Sequence, residues 1–121
     1  MKKNQTRRIT LRVPVYTIVY LRQSDFNEVG GKMYNLSIGG LGVKTNYPIS
    51  TGERLALSFH LPNTIGLVNG VGQVVWRQFH GDNLGHRETL FTAGIKFLSI
   101  DRPSRKAVHD YVRMSNSSLV G

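Results

Sequence analysis

The sequence contains no cysteine, which excludes disulfide bonds, thiolate catalysis and zinc sites built on cysteine. It also has no apolar run near the roughly 20 residues that a membrane-spanning helix needs. Its basic start leads into no apolar stretch of signal-peptide length. We therefore expect a soluble, cytoplasmic protein without a membrane segment, and its 121 residues are enough for one domain.

Acidic residues are scarce, since 7 aspartates and glutamates stand against 16 lysines and arginines, and the formal net charge is +9. Such an excess attracts anions, whether nucleic acid, anionic lipid or a phosphorylated small molecule. The positive charge is concentrated in residues 1–12, and no acid occurs before Asp25. This predicts a flexible basic arm over 1–12. By composition alone, an arm that only aids solubility is the simpler interpretation.

Short apolar segments with alternating side chains and many Val, Ile, Thr and Tyr residues predict β-strands. The predicted strands cover 13–21, 32–36, 41–47, 55–59, 71–79 and 90–98. Glycine, proline and asparagine separate them. Regular short strands indicate a mainly β fold over 13–100, either an antiparallel barrel or a sandwich.

A helix is predicted over 101–115, with 116–121 as a frayed tail. Asp101 suits the N-cap position, and Pro103 is tolerated in the first turn. Val108, Tyr111 and Val112 recur at helical spacing and make an apolar stripe that should lie against the strands.

Residues 34–40 place two short polar side chains and two glycines at the end of an apolar strand. Alternation along a strand puts Asn35 and Ser37 on one face. It directs Tyr34 and Leu36 to the other face, into the core. The glycines Gly39 and Gly40 should then turn the chain, with positive φ accessible and amide N–H groups open to an acceptor. The same residues also suit an ordinary turn.

Upstream, Arg8 and Arg12 form an RxxxR pattern directly behind Arg7. An RxxxR followed by (D/N)xSxxG resembles the PilZ domain family, bacterial receptor modules for cyclic di-GMP. The later order of an apolar run ending in Trp76, a strand at 94–97 and a final helix extends the resemblance over most of the chain. The resemblance implies a six-stranded antiparallel β-barrel with a C-terminal α-helix packed on it, as a stand-alone single-domain member.

The resemblance also implies a non-enzymatic receptor that orders its arginine arm over the barrel and signals through a partner protein. The implied ligand-binding residues are Arg7, Arg8, Arg12, Asn35, Ser37, Gly39 and Gly40, with Lys96, Trp76 and Arg77 as secondary candidates. Arginine suits this ligand because its planar fork matches both phosphate and the O6/N7 edge of guanine. In the family, an arginine at the position of Arg7 accompanies two stacked ligands, so we expect one or two molecules of cyclic di-GMP per chain.

Other chemistry has weaker support in the sequence. The four histidines, at positions 60, 80, 86 and 109, show no metal-ligand spacing and are expected at the surface, so we predict no metal and no cofactor. Ser37 has no nearby base, and we predict no catalysis. Trp76 is more typical of a core residue than of a stacking platform.

Two alternative functions stay open. One is a basic barrel that binds single-stranded nucleic acid, which would use several stacking aromatics. That alternative is disfavoured because the aromatic side chains mostly suit core positions; they are Tyr16, Tyr20, Tyr34, Phe59, Phe79 and Phe97. The other is a PilZ scaffold acting only through protein contacts, which the intact motif disfavours. We expect a monomer or weak dimer, and the process served, whether motility, adhesion, biofilm formation or secretion, does not follow from the sequence.

Overall fold

Six antiparallel strands close into a barrel, and a helix follows them. The computed structural model describes residues 11–23, 27–64, 66–81 and 91–120, with side chains as far as residue 116. The elements are β1 (Val13–Arg22), β2 (Glu28–Ser37), β3 (Gly40–Thr45), β4 (Arg54–His60), β5 (Leu67–Phe79), β6 (Phe91–Ile100) and α1 (Arg102–Val120). The strand order is β1-β2-β3-β6-β5-β4, and pairing of β1 with β4 completes the closure. The predicted six-stranded antiparallel barrel with a C-terminal helix is confirmed.

The core fills the inside of the barrel with aliphatic side chains. In β1, Val13, Val15 and Val19 are fully buried, whereas Tyr16 and Tyr20 point outward. The other strands contribute in the same alternating way, and Phe59 of β4 is the largest fully buried side chain. Branched side chains suit this arrangement because they pack well on a pleated surface.

Strands β2 and β5 begin earlier than predicted. Glycines that were predicted to form turns before them lie inside the strands. Gly31 pairs with Val19, and a Cβ there would lie 2.6 Å from the Val43 side chain. A Cβ at Gly70 would lie 2.6 Å from the carbonyl oxygen of Ser99. These glycines permit close approach of neighbouring strands, which is a second use of glycine besides turning the chain.

Most of the aromatic residues that were predicted for the core are not fully buried. Of the six tyrosines and phenylalanines assigned to it, Phe59 alone is fully buried, while Tyr16 is 78% and Phe79 57% exposed. Trp76 is 43% exposed on the outer face, not in the core. The interior of a six-stranded barrel is narrow, and valine, leucine and isoleucine already fill it.

Helix α1 begins with the predicted cap. Asp101 Oδ1 accepts the Ser104 N–H at 2.8 Å. Hydrogen bonds from the Ser104 side chain and backbone hold the pKa of Asp101 below its ordinary value. Val108 and Val112 are buried against the barrel. The helix continues to Val120, beyond the predicted end at residue 115. In the part of the chain that the structure describes, no helix is long and apolar enough to cross a membrane.

Candidate ligand site

Arg12 and Asn35 meet on the outer surface of the barrel. Nη1 of Arg12 donates a hydrogen bond to Oδ1 of Asn35 at 2.9 Å. Pro14 of β1 pairs with Asn35 of β2. Arg12 lies two residues before Pro14 and therefore close to Asn35. The structure therefore brings together one residue from each of the two sequence motifs. Arg7 and Arg8 lie outside the described residues, and their placement stays a prediction.

A β-bulge decides which way the motif side chains of β2 point. The register between β2 and β3 shifts between Met33 and Asn35. Met33 and Leu36 consequently enter the core, while Tyr34 and Asn35 lie half-buried on the outer face. The prediction that Tyr34 joins Leu36 in the core is therefore wrong, because the bulge interrupts simple alternation.

Ser37 organises the turn between β2 and β3. Its side chain is 1% exposed, and Oγ accepts the N–H groups of Gly39 and Gly40 at 3.2 Å each. The same hydroxyl donates to the carbonyl oxygen of Gly40 at 3.3 Å. The prediction of open glycine amides is wrong, since a local serine turn satisfies both. Gly39 and Gly40 also lack the expected positive φ.

The two motif glycines differ in what surrounds them. A Cβ at Gly40 would lie 2.1 Å from the carbonyl oxygen of Ile95, so only glycine fits between β3 and β6 there. A Cβ at Gly39 would meet no atom within 4 Å. The carbonyl oxygen of Gly39 accepts the Phe97 N–H at 2.8 Å, which ties the turn to β6.

A row of directly paired residues crosses the outer face from Asn35 to Trp76. Asn35 pairs with Gly42, Gly42 with Gly94, and Gly94 with Trp76. A Cβ at Gly94 would lie 2.1, 2.6 and 2.7 Å from Nε1, Cε2 and Cδ1 of Trp76, distances that fit the face of the indole resting on the glycine. The Trp76 side chain is 43% exposed. A bulge between Val74 and Trp76 turns the side chain outward.

Lys96 and Arg77, two of the secondary candidates for ligand binding, lie in different surroundings. Lys96 is exposed and pairs with Gly40, so it lies on the site's outer face beside the Ser37 turn. Arg77 pairs with Ala93, and its guanidinium lies 5.1 Å from the ring centroid of Phe91. The structure therefore does not place Arg77 with Trp76. Within the described residues, no three His, Asp or Glu side chains come together as metal ligands.

The sequence did not predict that Gly42 would pair with Gly94, or that the Tyr34 and Lys44 side chains would lie at the site. Tyr34 rests on Gly42, and the ammonium group of Lys44 lies 5.4 Å from the Tyr34 ring centroid. A glycine between two core residues is a visible signal in each strand. The two glycines are neighbours because β3 pairs with β6, and this pairing cannot be predicted from the glycines alone.

Comparison with known families matches residues 5–114 to the PilZ domain. The structure of the Bacillus subtilis inhibitor of motility (MotI/DgrA) is similar at a TM-score of 0.75 and 20% identity, covering 93% of this chain and 53% of that one. The PilZ domain of YcgR from Escherichia coli, solved with c-di-GMP, gives 0.69 and 17% identity and covers 94% of this chain and 95% of that one.

YcgR from Escherichia coli in complex with c-di-GMP gives a TM-score of 0.71 at 15% identity, covering 94% of this chain and 48% of that one. The chain thus spans about half the length of MotI/DgrA and of YcgR. Comparison with curated proteins gives no match. At these identities the structural likeness shows a shared fold.

Proposed function

This chain belongs to the PilZ domain family, and we propose that it is a non-enzymatic receptor for cyclic di-GMP. The observation that carries the proposal is the Arg12–Asn35 hydrogen bond, which joins the two motifs at one place on the barrel. One protein of similar fold, YcgR from Escherichia coli, has been solved with this ligand, both as its PilZ domain and as a longer chain.

The chemistry of the Arg12–Asn35 pair suits a guanine nucleotide that carries phosphates. A guanidinium has five N–H donors, and one of them engages Asn35. The others are available for a phosphate or for the O6/N7 edge of guanine. Oδ1 of Asn35 accepts from Arg12, which leaves the amide NH₂ group to donate to an acceptor of the ligand. The pair is thus oriented before the ligand arrives, which lowers the entropy lost on binding.

Other motif residues act in different ways in this proposal. Ser37 and Gly40 position the turn, since the serine hydroxyl bonds within it and Gly40 packs against β6. Gly39 leaves open space at the surface. The exposed part of the Trp76 side chain offers a stacking surface for a base, and Lys96 adds positive charge beside the turn.

Ligand binding would also order the part of the basic arm that precedes Arg12, because Arg7 and Arg8 lie on that segment. We expect amide exchange in this segment to slow when cyclic di-GMP is added. Exchange that is equally fast with and without the ligand would contradict the ordering. The ordered arm would then change the surface that a partner protein contacts.

Isothermal titration with cyclic di-GMP, GTP and single-stranded DNA tests the function. We expect a Kd of about 1 µM or lower for cyclic di-GMP, near −8 kcal/mol, and much weaker heats for the other two. Preference for DNA would favour the nucleic-acid alternative. Binding of none of the three by a folded protein would favour a scaffold that acts only by protein contacts.

The number of ligands per chain is expected to depend on Arg7. Two stacked ligands bring together twice the phosphate charge of one, and an added guanidinium offsets part of that repulsion. The variant Arg7→Leu should therefore lower the stoichiometry from two toward one and weaken the salt dependence. Lys3→Leu is the matched control, since it removes the same charge from the same segment. A stoichiometry of one that neither variant changes would reject this role for Arg7.

A further inference from the structure

Tyr34 is held against the backbone of β3 beside the Arg12–Asn35 pair. A Cβ at Gly42 would lie 2.6 Å from Cζ of Tyr34 and 2.8 Å from Oδ1 of Asn35. The tyrosine ring and the asparagine amide therefore occupy the space that a larger residue would fill. Any side chain at position 42 would displace both groups. The Tyr34 ring thus packs on Gly42 and lies beside the Arg12–Asn35 pair.

Lys44 is the outward-facing residue of β3 after Gly42, and its ammonium group lies over the Tyr34 ring. The distance from Nζ to the ring centroid is 5.4 Å, within the range of a cation–π contact. This contact draws the flexible lysine back along β3 toward Gly42 and Asn35. Without it, the four-carbon side chain would sample many positions in solvent.

The positive charge of Lys44 is not neutralised by any carboxylate of the described residues. Lys32 stands directly opposite Lys44 across β2 and β3, and both are exposed. Like charges in directly opposed positions are unfavourable. The ion pair that the described residues form joins Lys106 to Asp110, on α1. A bound anion beside Lys44 would offset this repulsion.

We propose that Lys44 is a further ligand-binding residue, whose ammonium group contacts a phosphate of the bound cyclic dinucleotide, and that Tyr34 is its positioning residue. This inference rests on the proposed function. It adds to the Arg12–Asn35 pair a second cation, which reaches the site from β3. Lys32 carries the same charge but has no such ring contact, so it makes no specific contact with the ligand.

The first test compares Lys44→Met with Lys32→Met by titration with cyclic di-GMP. Each variant removes one positive charge from the same pair, so a general field effect is equal in both. We expect Lys44→Met to lose about tenfold in affinity, the scale of one hydrogen bond to a charged group, and Lys32→Met less than about twofold. Equal losses in the two variants would overturn the specific contact.

A double-mutant cycle tests the positioning role of Tyr34. Tyr34→Leu should weaken binding by about two- to fivefold, while Tyr34→Phe keeps the ring and should match the wild type. In the Lys44→Met background, Tyr34→Leu should add almost nothing, because there is no ammonium group left to position. A full additional loss there would mean that the ring contacts the ligand itself, which would overturn the positioning role.

Acetylation of the wild-type protein gives a readout that does not depend on how the variants fold. Cyclic di-GMP should protect Lys44 from acetylation and leave Lys32 reactive, as measured by mass spectrometry. Equal reactivity of Lys44 with and without bound ligand would overturn the contact while leaving the receptor function intact. If the wild-type chain binds no cyclic di-GMP, both the inference and the proposed function fail.

Discussion

Replacing Gly40 by alanine should damage the barrel at the motif, whereas the same change at Gly39 should not. The added methyl group at position 40 would lie 2.1 Å from the Ile95 carbonyl oxygen and 2.9 Å from Cα of Lys96. Backbone atoms occupy both places, so no side-chain rotation relieves the clash. Strands β3 and β6 must therefore separate by about 1 Å to restore an ordinary contact.

The cost follows from that separation. Overpacking of a closely fitted site costs about 1–3 kcal/mol, and weakening one hydrogen bond between the strands adds about 1 kcal/mol. For a domain of this size, the sum corresponds to a fall in Tm of about 10 °C. The methyl group at position 39 meets no atom within 4 Å, and φ of Gly39 is not positive. Gly39→Ala should thus equal or slightly exceed the wild type in stability.

Thermal unfolding followed by circular dichroism, with urea titration of the same samples, measures the difference. The two variants add the same methyl group at adjacent positions, so each is the control for the other. Equal stabilities of Gly39→Ala and Gly40→Ala, or a Gly40→Ala protein as stable as the wild type, would refute the tight approach of β3 to β6.

Three further predictions concern hydrogen bonds. Ser37→Ala removes the acceptor of the Gly39 and Gly40 amide groups, of which that of Gly40 is buried, and should lower the free energy of unfolding by about 1–3 kcal/mol in urea titration. An unchanged value would contradict its role in the turn. Ser104→Ala leaves the Asn69 N–H without its acceptor at 3.0 Å and should cost a similar amount, whereas Ser99→Ala, at an exposed position, should cost little. Because Ser104 lowers the pKa of Asp101 on folding, this carboxylate contributes stability above its ordinary pKa of 3.8 and loses it as the pH falls through the lower folded value. Asp101→Asn should flatten this acid limb of the stability–pH curve, and an unchanged limb would reject the linkage.

The strand pattern was readable from the sequence because alternation is a local property. Val13, Val15 and Val19 enter the core as their spacing predicts, and the Asp101 cap forms at the predicted helix start. These features depend on side chains and their immediate neighbours. The fold class followed from such local signals together with the family resemblance.

The details of the site were not readable, because two bulges interrupt alternation there. One turns Tyr34 away from the core, and the other turns Trp76 outward over Gly94. A bulge depends on how two strands pair, and residues distant in sequence decide that pairing. The Ser37 hydroxyl likewise bonds within its own turn, a choice that the residue types alone leave open between turn and ligand.

The most direct test of the central claim is an NMR titration of the isotope-labelled chain with cyclic di-GMP. The chain has 1 tryptophan, so the indole N–H signal of Trp76 reports on the outer face without ambiguity. We predict that this signal and the amide signals of Asn35, Gly42 and Gly94 shift together on addition of the ligand. Unchanged signals at saturating ligand, or shifts confined to the outer face of β1 and β4, would contradict a binding site at the Arg12–Asn35 pair.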